Sequence, residues 1–229
     1  MRATWLVPIA TAVVLLGASI VPLLSPAWVG FEQERSGAAA LTGFSADDLR
    51  TATTGIVWQL VLGGDFDVPL PGSGPVLTEP ERQHMRDVRG VLQGLCVLVI
   101  LSLVALALTW RQARERDSRS AWWRGIRRGA AGLAVAVGIL GAISVVAFDA
   151  AFEVFHRLFF TAGTYLFDPA TSRLVQLFPD QLWSETTLAL GALTVAVTVA
   201  VAWLAGRRAA AGATTSTPAA SLRVGEVIR

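Results

Sequence analysis

Lysine is absent from these 229 residues, and all 19 basic side chains are arginine. Schiff-base and lysine-nucleophile mechanisms are therefore excluded. Arginine-only usage with alanine-rich runs also points to a GC-rich bacterial genome. Cysteine occurs once, at Cys96 inside an apolar run, so this chain alone can build neither a disulfide framework nor a multi-thiolate metal site. Charge is scarce: 16% of residues are charged, against about 25% in a soluble domain. That shortfall argues against a secreted or cytosolic globule. No G-x-S-x-G nucleophile elbow is present, and histidine occurs only twice, at His84 and His156.

In place of charge there is apolar length, with 53% hydrophobic residues and a mean hydropathy of +0.55. Four stretches free of formal charge can each cross a hydrocarbon core: 4–25, 91–110, 129–148 and 186–206. Each is expected to be helical, because lipid offers the backbone no hydrogen-bond partners. The expected fold class is an all-α membrane protein with four transmembrane helices in a single domain, 1–206. A small extracytoplasmic cap would be formed by two outer loops, 26–90 and 149–185. The alanine- and threonine-rich residues 207–229 read as a disordered cytoplasmic tail. A basic start before an apolar run also fits a signal peptide, but the run is long and lacks an A-x-A site, which favours a retained anchor.

Arginine placement sets the expected topology. The N-terminal tip, the 111–128 connection and the tail hold 12 basic against 3 acidic residues, whereas the two longer loops hold 7 arginines against 14 acids. The positive-inside rule then places both termini in the cytoplasm of a bacterial plasma membrane and the larger loops outside. Trp5, Trp110, Trp122, Trp123 and Trp203 fall at the inner boundary, and Trp28 and Trp183 near the outer one. The 111–128 arginines are explained by topology and by anionic lipid, not by nucleic acid. In the third span Gly132, Gly138, Gly141, Ala142 and Ser144 suggest close helix packing, without a strict G-x-x-x-G pattern.

The outer loops carry the chemistry. Ser45 and Asp48 resemble a capping box ahead of Leu49, Ala52, Ile56 and Leu60 at helical spacing, and Gly63-Gly64 ends that pattern. Pro69, Pro71, Gly72, Gly74 and Pro75 require an irregular or extended passage. Thr78, Pro80 and Glu81 then read as N-cap, early-turn proline and capping-box acid of a helix running unbroken into the second span. On that helix His84 shares a face with Val88, Val91 and Leu95, with Asp87 three residues away to orient it. The third span exits through DAAFEVFHRLFF at 149–160, where Asp149, Glu153, His156 and Arg157 form a polar stripe expected to face the bundle interior. Two histidines at one membrane boundary, each beside a carboxylate, suit general acid–base chemistry near neutral pH. Either histidine alone would be an ordinary interfacial side chain. Non-enzymatic lipid or partner binding and a bis-histidine haem or metal site are the alternatives; a catalytic zinc would need a third ligand.

The segments ERQHMRDV (81–88), FEVFHRLFF (152–160) and YLFDPATSRLVQLFPDQLW (165–183) resemble the bacterial Lit family of four-span lipoprotein intramolecular transacylases, across nearly the whole chain. Between the histidine and D-P motifs this chain reads Thr161-Ala162-Gly163-Thr164-Tyr165, where other members carry an Asn-Asp pair and a tryptophan. The resemblance implies transfer of an sn-2 acyl chain of a diacylglyceryl lipoprotein to the amine of its N-terminal cysteine. It implies His84 and His156 as catalytic residues and neither metal nor cofactor. On that reading His84 takes the amine proton, His156 returns one to the glycerol oxygen, and these roles are interchangeable. Asp87 orients His84, Glu153 or Asp149 holds His156, and Arg157 stabilises the oxyanion or the substrate. The partners would be diacylglyceryl-modified lipoproteins or membrane lipids.

Overall fold

The computed structural model describes residues 5–70, 74–161 and 163–214. Pro71, Gly72 and Ala162 lie outside the described residues. Among those described there are nine α-helices and no strand, only an isolated antiparallel bridge between Pro69 and Pro75. Four helices are long and apolar enough to cross a membrane: α1 (Leu6–Ile20, extended to Leu24 by a 3-10 turn), α5 (Glu79–Glu115), α6 (Arg119–Val146) and α9 (Asp180–Thr214). The remainder are α2 (Pro26–Arg35), α3 (Ala38–Thr42), α4 (Ala46–Leu62), α7 (Phe148–Phe159) and α8 (Arg173–Leu177). The four-span, all-helical fold expected from the sequence is what forms.

Local sequence explains where these helices begin. Ser45 caps α4 by accepting from the Asp48 N–H at 3.1 Å, and Gly63, at φ 104, ends it in a conformation that a Cβ would strain. Thr78 and Glu81 complete the reciprocal capping box at the start of α5, with proline in the first turn. With 37 residues, α5 is about 55 Å long. That is well beyond a hydrocarbon core of about 30 Å, so the turns before Val91 stand clear of the span.

The transmembrane bundle is tied by α6 against α9, with α1 packed on α5 and α6. Close approach occurs where glycine permits it. A Cβ on Gly129 would collide with the backbone carbonyl of Pro8, and one on Gly125 would lie 2.8 Å from Val7 Cγ1. The close-packing role read for Gly132, Gly138 and Gly141 is corrected by the structure, since nothing lies within 4 Å of a Cβ built at any of them. Gly132 and Gly138 are exposed and Gly141 is half-buried. At one end of the bundle Val7, Ile126 and Ala205 form a small core with Trp122 and Trp123 packed on it. Trp110, Trp122 and Trp123 stack in a cluster with ring centroids 4.8–5.8 Å apart.

The opposite end carries the cap. Ala52, Ile56, Phe66, Val68, Leu77, Met85, Leu174 and Leu177 belong to one buried cluster drawn from both long loops and from the starts of α5 and α9. Buried polar groups tie its layers together. Gln33 of α2 donates to the Leu177 carbonyl at 2.9 Å and accepts from Thr53 Oγ1 at 2.6 Å. Trp28 Nε1 donates to Thr186 Oγ1 at 3.2 Å, joining α2 to α9. The boundary drawn for the tail is also revised: α9 continues to Thr214, past Gly206, and 215–229 lie outside the described residues.

Candidate active site

Two helices deliver the histidines to one place. His84 stands in the second turn of α5, and His156 near the end of α7; both are buried. Their ring centroids are 6.0 Å apart with planes 17° from parallel. Phe160 packs on both, at 4.9 Å from His84 and 5.3 Å from His156. Phe167 closes on His84 at 5.7 Å, and Phe152 and Tyr165 on His156 at 4.1 and 5.1 Å. The imidazoles thus share a pocket walled by aromatic rings.

The third helix does not run through as a single rod. Ala147, at φ −142 and ψ 51, interrupts it, and α7 restarts at Phe148. The expected inward polar stripe is corrected here. His156 and Phe160 are buried and Phe152 half-buried, while Asp149, Glu153 and Arg157 are exposed. Glu153 and Arg157 pair with each other and not with His156. The physical reason is desolvation: an imidazole can be buried neutral, but carboxylate and guanidinium groups carry a heavy penalty in an aromatic pocket.

His156 is oriented by backbone instead. Its Nδ1 lies 2.8 Å from the Phe152 carbonyl oxygen. A carbonyl can only accept, so Nδ1 carries a hydrogen and, in the neutral tautomer, the lone pair is on Nε2. His84 has the opposite character, because its Nδ1 is buried with no hydrogen-bond partner among the described residues, a condition rare enough in folded proteins to mark a site. Burial, and then the neighbouring His156, push His84 down to about 4, and Asp87 only partly offsets them. Asp87 acts on this ring through its field alone; its carboxylate accepts from Gln83 Nε2 at 3.0 Å.

Glu81, read from the sequence only as a helix cap, proves to be the clamp under His84. Fully buried, it accepts from the Thr78 N–H and hydroxyl at 2.7 and 2.8 Å, from the Leu174 N–H at 2.9 Å, and from the Ser172 hydroxyl. Burial pushes its carboxyl up, yet these donors together hold it below the ordinary glutamate value. The start of α5 is thereby fastened to the second long loop, which also carries Phe167. Only the cap half of this arrangement has a sequence signature. The aromatic wall had none beyond phenylalanine at helical spacing.

Chemically the pocket offers the His156 Nε2, the neutral imidazole of His84 and apolar surroundings that strengthen any hydrogen bond formed there. Among the described residues no three His, Cys, Asp or Glu side chains converge to hold a metal ion. The three-ligand set of His84, His156 and a carboxylate is therefore not assembled. A porphyrin between the imidazoles would have to displace Phe160, which contacts both.

Comparison with known proteins agrees with the motifs. No curated protein matches the chain. Among solved structures, that of the membrane integral lipoprotein intramolecular transacylase Lit from Bacillus cereus aligns with a TM-score of 0.77 at 15% identity. The alignment covers 93% of this chain and 96% of that one. Two variants of that protein, with one histidine replaced by arginine or by alanine, align with TM-scores of 0.74 at 15% identity, over 93% of this chain and 93% and 94% of theirs. At such identity the likeness concerns the fold. The family model for lipoprotein intramolecular transacylase Lit matches residues 5–183, most of the chain, and with that match the chain belongs to the Lit family of membrane acyltransferases.

Proposed function

We propose that this protein moves the sn-2 acyl chain of a diacylglyceryl lipoprotein onto the α-amino group of the lipoprotein's N-terminal cysteine, at the extracytoplasmic face of the membrane. The observation that carries this reading is the pair of imidazoles 6.0 Å apart in one aromatic pocket, close enough for both to reach a single ester. The amine nitrogen attacks the ester carbonyl carbon, forming the N–C bond. Collapse of the tetrahedral species breaks the C–O bond to glycerol. Over the reaction one proton passes from nitrogen to the glyceryl oxygen.

The hydrogen bond at His156 Nδ1 favours the exchange of the roles first read from the sequence. His156 Nε2 takes the amine proton and returns it to the departing oxygen. His84, whose cation is strongly disfavoured by its surroundings, stays neutral and supplies an N–H to that oxygen as charge builds on it. Amine and ester belong to one molecule, so the pocket contributes mainly positioning, and acid–base help adds about 10² to 10⁴. Phenylalanine rings around the histidines suit the acyl chain.

Mass spectrometry of the N-terminal peptide of a co-expressed lipoprotein tests this. Wild-type protein should convert the diacyl form to the lyso form. His156→Ala should abolish conversion, and His84→Ala should slow it about 10²-fold. A diacyl peptide left unchanged by the wild type would refute the reading for that lipoprotein.

A further inference from the structure

A proton shuttle leaves one charge in this reaction without a partner. As the amine bonds to the carbonyl carbon, the carbonyl π pair moves onto oxygen, and an oxyanion in an apolar pocket requires a hydrogen-bond donor. Arg157, anticipated for that role, is 68% exposed and paired with Glu153. Asp87, Asp149 and Glu153, when ionised, can only accept. Phe152, Phe155, Phe160 and Phe167, which contact the two imidazoles, have no N–H or O–H on their rings.

One ring in this shell does. Tyr165, the only tyrosine of the chain, lies 5.1 Å from the His156 ring and 6.4 Å from Phe160. It is half-buried, and its hydroxyl makes no hydrogen bond to a described residue. The turn that delivers it includes Gly163 at φ 90, a left-handed position that lets the chain reverse immediately after α7. We propose that the Tyr165 phenol is a catalytic residue, the donor that stabilises the oxyanion at the sn-2 carbonyl while His156 carries the proton. The inference rests on the transacylation proposed above. The phenol gives no proton away: it donates a hydrogen bond as the carbonyl oxygen takes the electron pair, and loosens it when the carbonyl re-forms and the glyceryl oxygen departs.

Tyr165→Phe removes this donor and keeps the ring, so the aromatic wall is retained. With purified protein in lipid nanodiscs and a synthetic diacylglyceryl lipopeptide, kcat should fall about 10²-fold, the cost of one missing oxyanion donor, with KM little changed. An unaltered kcat in Tyr165→Phe would overturn the proposal, while inactivity of His156→Ala in the same assay would leave the transacylase reading standing. A second measurement does not depend on turnover. A long-chain alkyl phosphonate monoester, tetrahedral and singly negative, should bind Tyr165→Phe about tenfold more weakly than wild type by calorimetry, the effect of one hydrogen bond to a charged group. Equal binding by the two proteins would overturn the proposal even if the lipopeptide were not a substrate.

Discussion

The Phe152 carbonyl does for His156 what a carboxylate does for imidazole in many hydrolytic sites: it holds Nδ1–H and leaves Nε2 free to accept. It does so without a buried charge, which suits a ring packed among phenylalanines. His84 is kept neutral by burial and by its neighbour, with a pKa of about 4. The sign matters for pH dependence. A depressed pKa means that His84 gains its proton only as the pH falls through about 4, so between about pH 5 and 8 its charge does not change. A His84→Gln variant should therefore be slower at every pH yet show the wild-type profile across that range. An acid limb displaced in His84→Gln would show that His84 titrates there and refute the assignment. The residue types at 84 and 156 were legible in the sequence, because histidine beside carboxylate at a span boundary is conspicuous. Which neighbour orients each ring was not, since the backbone carbonyl that holds His156 has no residue signature.

At the scale of helices, glycine placement separates packing from filler. Gly129 of α6 faces the Pro8 carbonyl so closely that a methyl group cannot fit without backbone movement, whereas Gly138 meets nothing within 4 Å. Gly129→Ala should lower thermal stability in detergent by about 1 to 3 kcal/mol, the usual penalty for overpacking. Gly138→Ala should be neutral or stabilising, since alanine is the better helix former by about 1 kcal/mol. Equal melting temperatures for the two variants would contradict the packing described. Both glycines look alike in sequence, because hydropathy and small-residue content give no rotational setting to a span. The break at Ala147 escaped for a related reason. Alanine is a good helix former, and nothing local announces that α6 stops there and that α7 restarts with His156 buried and Glu153 and Arg157 exposed. Capping signals, by contrast, were reliable: the Ser45 and Thr78 caps and the Gly63 stop form as their residue types require.

The whole molecule is a four-span bundle with a cap at one end, and an even number of crossings places the start of α1 and the end of α9 at the other. The cap is not an appendage, because Gln33, Trp28 and Glu81 bind its layers to the bundle and to each other. From the arginine asymmetry we propose that the capped end faces outside. Fusion of a periplasmically active phosphatase at Asp65 or Asp168 should therefore give enzyme activity, and fusion at Asp117 or after Arg208 should give none, with a fluorescent reporter showing the converse. The reverse pattern would move the pocket to the cytoplasm and remove its access to exported lipoproteins. The sequence by itself determined the four helices, the helix caps and the two histidines, because hydrocarbon thickness, backbone satisfaction and capping act over a few turns of one segment. Only the tertiary structure decided that α5 and α7 bring those histidines within 6.0 Å, that Tyr165 and Phe160 close around them, and that the charged side chains of α7 are left exposed. Those outcomes depend on the desolvation of groups from segments some seventy residues apart in the chain, a cost that no single stretch of sequence records.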